Sequence, residues 1–369
     1  MTVHSSFQPA SAAAADALVR FERVVDDLVD RLGNLGALVA IDVEGVGRVT
    51  VTAGHSNLER TREIGPGDIF QIGSQSKTVA AMTLLLMARE GLLDLDAPAV
   101  SYVDLPIDPR ITVRHLLMNT SGLGEYTTAM FGVRPDVRIP FAPRDLLALA
   151  LPQGQLFEPG ACFDYSNTGW VVAAMIIEAV GGKPYGATVD ARIVQPLGLK
   201  ASGFGGLIPP GERMRCYMSI AGAPAPVDIS GEVSWGFGAG DGLCNARDAI
   251  AIYASLLRPD SPLGISLHDL TERIAKPSAT PHFAMSLGTE YGLGIERRAW
   301  AGSDVWGHPG STLGARTSTW IDPERRVAVA TAATTHVGQP GPGDDIRYPR
   351  AQLFATALNT AYALAADRR

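Results

Sequence analysis

The chain has 369 residues, 46% of them hydrophobic, and a net charge of −7; that is longer than one compact core usually runs and argues for a large domain with a lobe inserted in it. With 38 acidic against 31 basic side chains there is no basic stripe to hold nucleic acid, and no apolar run approaches the roughly 18 residues of a membrane span. The 40 glycines and 25 prolines make it loop-rich without reaching the disordered range.

In chain order, Leu18, Phe21, Val24, Val25, Leu28 and Leu32 recur three or four apart and predict a helix over 13–32, ended at Gly33. Two β-rich runs follow, Gly36–Val43 and Gly47–Ala53, joined by the turn-prone Glu44-Gly45. Residues 74–90 form an apolar helix stopped at Gly91, and helical pieces broken by Gly and Pro continue to about Pro226, among them Val113–Met118, Pro143–Leu151 and Thr168–Val180. Strand patterns return at Tyr291–Arg298, Gly314–Ile321 and Arg326–Ala333, the last two joined by a turn at Asp322-Pro323-Glu324-Arg325, and residues 350–365 close the chain as a helix. The expected fold is mixed α/β (α+β): an antiparallel sheet with flanking helices from 13–80 and 227–366, an inserted helical lobe over 81–226, and a flexible N-terminus over 1–12.

Three short strings carry chemistry. Ser74-Gln75-Ser76-Lys77 opens the apolar helix, so the Ser74 hydroxyl and Lys77 ammonium share a face. A buried lysine loses pKa and can take a proton from a serine that is otherwise a weak nucleophile, and the helix N-terminus favours a developing oxyanion. The competing reading is a helix cap with a snorkelling lysine. Tyr165-Ser166-Asn167 lies between two helices, where it can aim a phenol and an amide into one cleft or simply form a surface turn. His308-Pro309-Gly310 opens a strand, and a structural histidine is the plain alternative there.

In this order the strings resemble the penicillin-recognising serine enzymes, whose Ser-x-x-Lys, Tyr-x-Asn and Lys/His-x-Gly motifs surround one cleft. The likeness extends to Phe70–Ser74, Glu90–Asp96, Ile111–Leu117, Thr120–Leu123, Glu158–Gly160, Gln195–Leu199 and Tyr291–Gly294, roughly residues 15–365 in all. The resemblance implies a β-lactamase/transpeptidase-like fold and a Ser74 acyl-enzyme. Lys77 and Tyr165 would handle the proton, in either order of ownership. Asn167 would hold the substrate's amide oxygen and orient Lys77. His308 would line the opposite wall and pass a proton to the leaving group, and the N–H groups of Ser74 and Ser311 would form the oxyanion hole. Gly310 would let the strand approach the substrate, and Phe131 and Trp235 fall where relatives place aromatic cleft walls.

The sequence departs from a D,D-carboxypeptidase in two places. Pro309 replaces a hydroxyl, and the position of the arginine that would hold a substrate carboxylate carries Glu296, whose charge would repel it. A small-molecule or short peptide substrate with a neutral or cationic group beyond the scissile bond is expected instead. The leading expectation is a serine hydrolase acting on an amide or ester of a small acyl or D-aminoacyl group. The alternatives are an esterase or acyl transferase passing the acyl group to an amine or alcohol, possible in natural-product biosynthesis, and a non-catalytic acylation sensor. The seven histidines and the cysteines Cys162, Cys216 and Cys244 show no metal-ligand spacing, so neither metal nor cofactor is expected. The sparse cysteines, and the absence of Lys or Arg before Arg20, lead us to expect a cytoplasmic protein.

Overall fold

The computed structural model describes residues 2–6, 9, 11–31, 34–133, 136–220, 223–275, 290–337 and 347–366. A mainly antiparallel sheet runs through it in the order Thr2–Ser5, Gly47–Gly54, Asn34–Val43, Val327–Val337, Ala315–Asp322, Ser303–Ser311, Glu296–Trp300, Glu290–Tyr291. Asn34–Val43 and Gly47–Gly54 pair as the hairpin read from the sequence, with Gly45 at φ 77° in its turn. Thr2–Ser5, inside the stretch expected to be flexible, adds an edge strand: its backbone pairs Thr2 with Thr52 through Ser5 with Val49.

Leu38, Val39, Ala40 and Ile41 are all buried, a continuous apolar run rather than an alternation, because both faces of the sheet centre are covered. One face packs Val39, Ile41 and Trp320 against Phe21 and Val25 of the first helix, Ala12–Arg31, and Leu353, Phe354 and Leu358 of the last, Arg347–Ala365. Gly33 and Leu32 lie outside the described residues. On the other face Leu38, Ala40 and Ala330 join one buried cluster with the helix Ala246–Ala254, which packs on these strands, and with the helices Ser76–Arg89 and Asn167–Gly181 beyond it.

The helix Ser76–Arg89 is buried on nearly every side, which is why its sequence is apolar without a stripe. It stops where Gly91, at φ 73°, takes the left-handed conformation. Tyr291–Arg298 was expected as one strand and is two, Glu290–Tyr291 and Glu296–Trp300. The break is a tight turn, with Gly292 N–H donating to Ile295 C=O at 2.8 Å and Gly294 at φ 66°. A Cβ on Gly294 would stand 2.7 Å from the Lys77 carbonyl, so the turn exists to pack against the Ser76–Arg89 helix. Among the described residues no helix is long and apolar enough to cross a membrane.

Candidate active site

Ser74 sits in a single 3-10 turn, Gly73–Gln75, immediately before the helix Ser76–Arg89. Ser74 and Lys77, three residues apart across the junction of turn and helix, share one face, and Lys77 Nζ lies 3.0 Å from Ser74 Oγ. The turn is held against the strand Ser303–Ser311. Gly73 takes φ 57°, and a Cβ there would meet Ser311 N at 2.8 Å, so the peptides carrying Ser74 N and Ser311 N lie side by side. Ile72 C=O accepts from Thr317 Oγ1 at 2.9 Å and from Gln75 Nε2 at 3.2 Å, and Gln75 Nε2 also reaches Thr317 Oγ1 at 2.8 Å.

These contacts revise the expectation for Gly310. A Cβ there would come 1.9 Å from Ile72 O and 2.3 Å from Thr317 Oγ1. The glycine is therefore required by the segment leading to Ser74, whatever it does for a substrate.

Lys77 is fully buried. Besides Ser74, its ammonium donates to Asn167 Oδ1 at 2.7 Å and to Ala239 C=O at 2.5 Å, and it stands 4.9 Å above the centre of the Tyr165 ring. Burial drives its pKa from the usual lysine range down to about 7, against the charges of Glu125, Asp241 and Glu296, which pull it up. Ser74, Lys77, Tyr165 and Asn167 are therefore brought together from two distant segments, as the sequence reading expected. The Tyr165 segment is anchored by Asn119, at φ 53°, whose carbonyl takes Asp164 N–H at 2.9 Å and whose Oδ1 takes Ser166 N–H at 3.3 Å and Trp170 Nε1 at 3.0 Å.

The cleft itself holds about 170 Å³ and is lined by Ser74, Asn167, Tyr126, Trp235, Ser311 and Leu313 among others. Trp235 thus stands in the cleft wall, with its indole N–H on Glu232 C=O at 3.2 Å. The Phe131 side chain lies outside the described residues.

Of the expected site residues, Lys77, Tyr165, Gly310, His308 and Glu296 are not among those that line the cleft. His308 is fully buried beneath it. Its Nδ1 lies 2.6 Å from Pro309 C=O, which can only accept, so Nδ1 carries the hydrogen; in the neutral ring Nε2, 2.9 Å away, accepts from the Tyr291 hydroxyl. Both ring nitrogens are thus engaged within the protein, and the ring centre lies 6.2 Å from that of Tyr165. Glu296 is also buried, its carboxylate 3.2 Å from Arg298, whose guanidinium lies 4.5 Å over the Trp320 ring. The charge of Glu296 is felt by Lys77.

Sequence reasoning missed two carboxylates. Glu125, 5% exposed, accepts from Asn167 N–H at 2.6 Å, Asn167 Nδ2 at 3.1 Å, Thr127 N–H at 3.0 Å and Thr127 Oγ1 at 2.7 Å. Asp241, 2% exposed, follows the Ala239 carbonyl that holds Lys77, and its Oδ2 accepts from Gly205 N–H at 3.0 Å. Burial pushes the Asp241 carboxyl up to about 7. Their only local signal is an acid beside glycines, Gly124-Glu125 and Gly240-Asp241-Gly242, which surface turns share. Among the described residues no cluster of three or more His, Cys, Asp or Glu could hold a metal ion.

Residues 21–354 match the Beta-lactamase family. A D-stereospecific amidohydrolase from Streptomyces sp. is 29% identical, with TM-score 0.72 over 86% of this chain and 94% of that one. The D-amino acid amidase of Ochrobactrum anthropi SV3, complexed with L-phenylalanine amide, is 25% identical, with TM-score 0.79 over 94% and 99%. Esterase EstB of Burkholderia gladioli is 28% identical over 211 residues, 53% of each chain, so this chain spans about half the length of that curated relative. The chain belongs to the beta-lactamase family.

Proposed function

We propose that this member of the beta-lactamase family is a serine hydrolase that cleaves an amide or ester of a small acyl or D-aminoacyl group through an acyl-enzyme on Ser74. The observation that carries the reading is the fully buried Lys77 amine, 3.0 Å from Ser74 Oγ and poised to titrate at about 7. A base whose pKa lies near the working pH combines a useful neutral population with proton affinity.

In this mechanism Ser74 Oγ attacks the substrate carbonyl carbon. Its proton passes to neutral Lys77, directly or by way of the Tyr165 phenol beneath it. The carbonyl oxygen becomes an oxyanion held by the N–H groups of Ser74 and Ser311, whose peptides lie side by side. Collapse breaks the C–N or C–O bond, and the departing amine or alcohol takes the proton from Lys77. Water then repeats the attack on the acyl-enzyme and releases the acid. Asn167 Oδ1 and Ala239 C=O keep the ammonium aimed at Ser74 through the cycle.

Tyr126, Trp235 and Leu313 offer the acyl part apolar walls in the cleft. The D-aminoacyl preference is drawn from the names of the amidohydrolase and amidase relatives. Ser74→Ala is the test. Turnover of p-nitrophenyl acetate and of D-alanine p-nitroanilide should fall by on the order of 10³ or more, and an acyl adduct seen by intact mass on the wild type should disappear. Retained turnover in the variant would overturn the reading.

A further inference from the structure

We propose that Glu125 is a positioning residue: its carboxylate fixes which way the Asn167 amide faces and, through that amide, where the Lys77 amine is held. The inference rests on the reading that Lys77 serves Ser74. A carboxylate can only accept hydrogen bonds, so the edge of Asn167 that faces Glu125 must be Nδ2, 3.1 Å away. The opposite edge, Oδ1, is then turned to Lys77 Nζ at 2.7 Å, where an acceptor is wanted. With the amide reversed, Nδ2 would face the ammonium and Oδ1 would face the carboxylate, two mismatches at once. The second oxygen of Glu125 accepts the Asn167 backbone N–H at 2.6 Å. That N–H opens the helix Asn167–Gly181, where the backbone has free donors and a positive dipole end. Glu125 therefore grips Asn167 by backbone and side chain together, and its bonds to Thr127 N–H and Oγ1 tie the grip to a cleft-lining residue.

The same carboxylate bears on the lysine's charge. The acids that pull the Lys77 pKa up are Glu125 first, then Asp241 and Glu296. The other titratable groups around the amine are Tyr165, with its ring under it, His308 beside Tyr165, and the buried Tyr126, which feels the charges of Glu125 and Asp241. Removing the Glu125 charge should make Lys77 easier to deprotonate.

The test compares wild type with Glu125→Gln, Glu125→Asp, Asn167→Ala and the double variant Glu125→Gln/Asn167→Ala, on p-nitrophenyl acetate, which has no ammonium, and on D-alanine p-nitroanilide, which has one. Glu125→Gln should lower kcat by roughly 10- to 100-fold on both substrates, the loss expected when a reacting group is misplaced by about an ångström. The acid limb of kcat/KM should move to lower pH. Glu125→Asp keeps the charge but shortens the reach, so it should lose kcat with the limb in place; it carries the test if the glutamine variant does not fold. The double variant should be no slower than Asn167→Ala, because both changes break one linkage. Additive losses, an unmoved limb in a folded Glu125→Gln, or a loss confined to KM of the ammonium-bearing substrate would overturn the positioning role; the last would make Glu125 a substrate contact. Ser74→Ala run alongside separates the two readings: an inert Ser74→Ala beside an unimpaired Glu125→Gln sinks only the role of Glu125, whereas retained turnover in Ser74→Ala sinks the hydrolase.

Discussion

Burial works against the charge of the Asp241 carboxylate. It is 2% exposed, and backbone N–H groups of Gly238, Gly205 and Asp241 itself favour its charged form, with Gly205 N–H 3.0 Å from Oδ2. Burial outweighs those bonds and the charge of Lys77, so the group titrates at about 7 rather than in the ordinary carboxylate range. The sign follows from linkage: a folded-state pKa raised above the unfolded value means that stability is fully present below the unfolded pKa, about 4, and is lost as pH rises through 7. Asp241→Asn keeps an acceptor for Gly205 but cannot ionise. Its stability relative to wild type should therefore climb between pH 4 and pH 7 and level off above, by at most about 4 kcal/mol, read as the difference in Tm or unfolding midpoint across that range. A flat difference would mean that the carboxyl is ionised at ordinary pH. Ser74, Lys77, Tyr165 and Asn167 were legible in the sequence through the family resemblance that the three strings carry together; each string alone also reads as a cap or a turn. Glu125 and Asp241 were not, since an acid next to glycine reads as a solvated turn until the fold covers it.

Between elements, the contact that places Ser74 is the approach of the strand Ser303–Ser311 to Ile72 and Gly73. The sequence signalled a glycine at 310 but not what it yields to. Neighbours across the sheet are set by register, and register cannot be read from one strand alone. The same limit explains His308, expected at the cleft surface and found beneath it, and Tyr291–Arg298, where two glycines turn an apparent strand back on itself. Gly310→Ala distinguishes packing from substrate access. With a Cβ 1.9 Å from Ile72 O, the strand and the Ser74 turn must separate, so Tm should fall along with kcat/KM. A variant with unchanged Tm and a raised KM would return the glycine to substrate clearance.

On the scale of the whole molecule, the sheet divides two tasks. Its one face is covered by the first and last helices around Phe21, Trp320 and Phe354, and its other face carries the Ser76–Arg89 helix and the cleft. The terminal helices, read from apolar periodicity, were therefore a statement about stability, while the chemistry lay in turns from distant parts of the chain. Phe354 tests the division. It is 5% exposed, with its ring 5.2 Å from those of Trp300 and Trp320. Phe354→Ala should leave a cavity costing about 3–5 kcal/mol and lower the denaturation midpoint accordingly. Because a packed sheet separates that cavity from Ser74, kcat/KM at a temperature where the variant stays folded should remain within about twofold of wild type. Measuring unfolding and turnover on the same samples decides it. A fall in kcat/KM in the folded enzyme, in step with the lost stability, would show that the sheet transmits the strain and that the two faces form one mechanical unit.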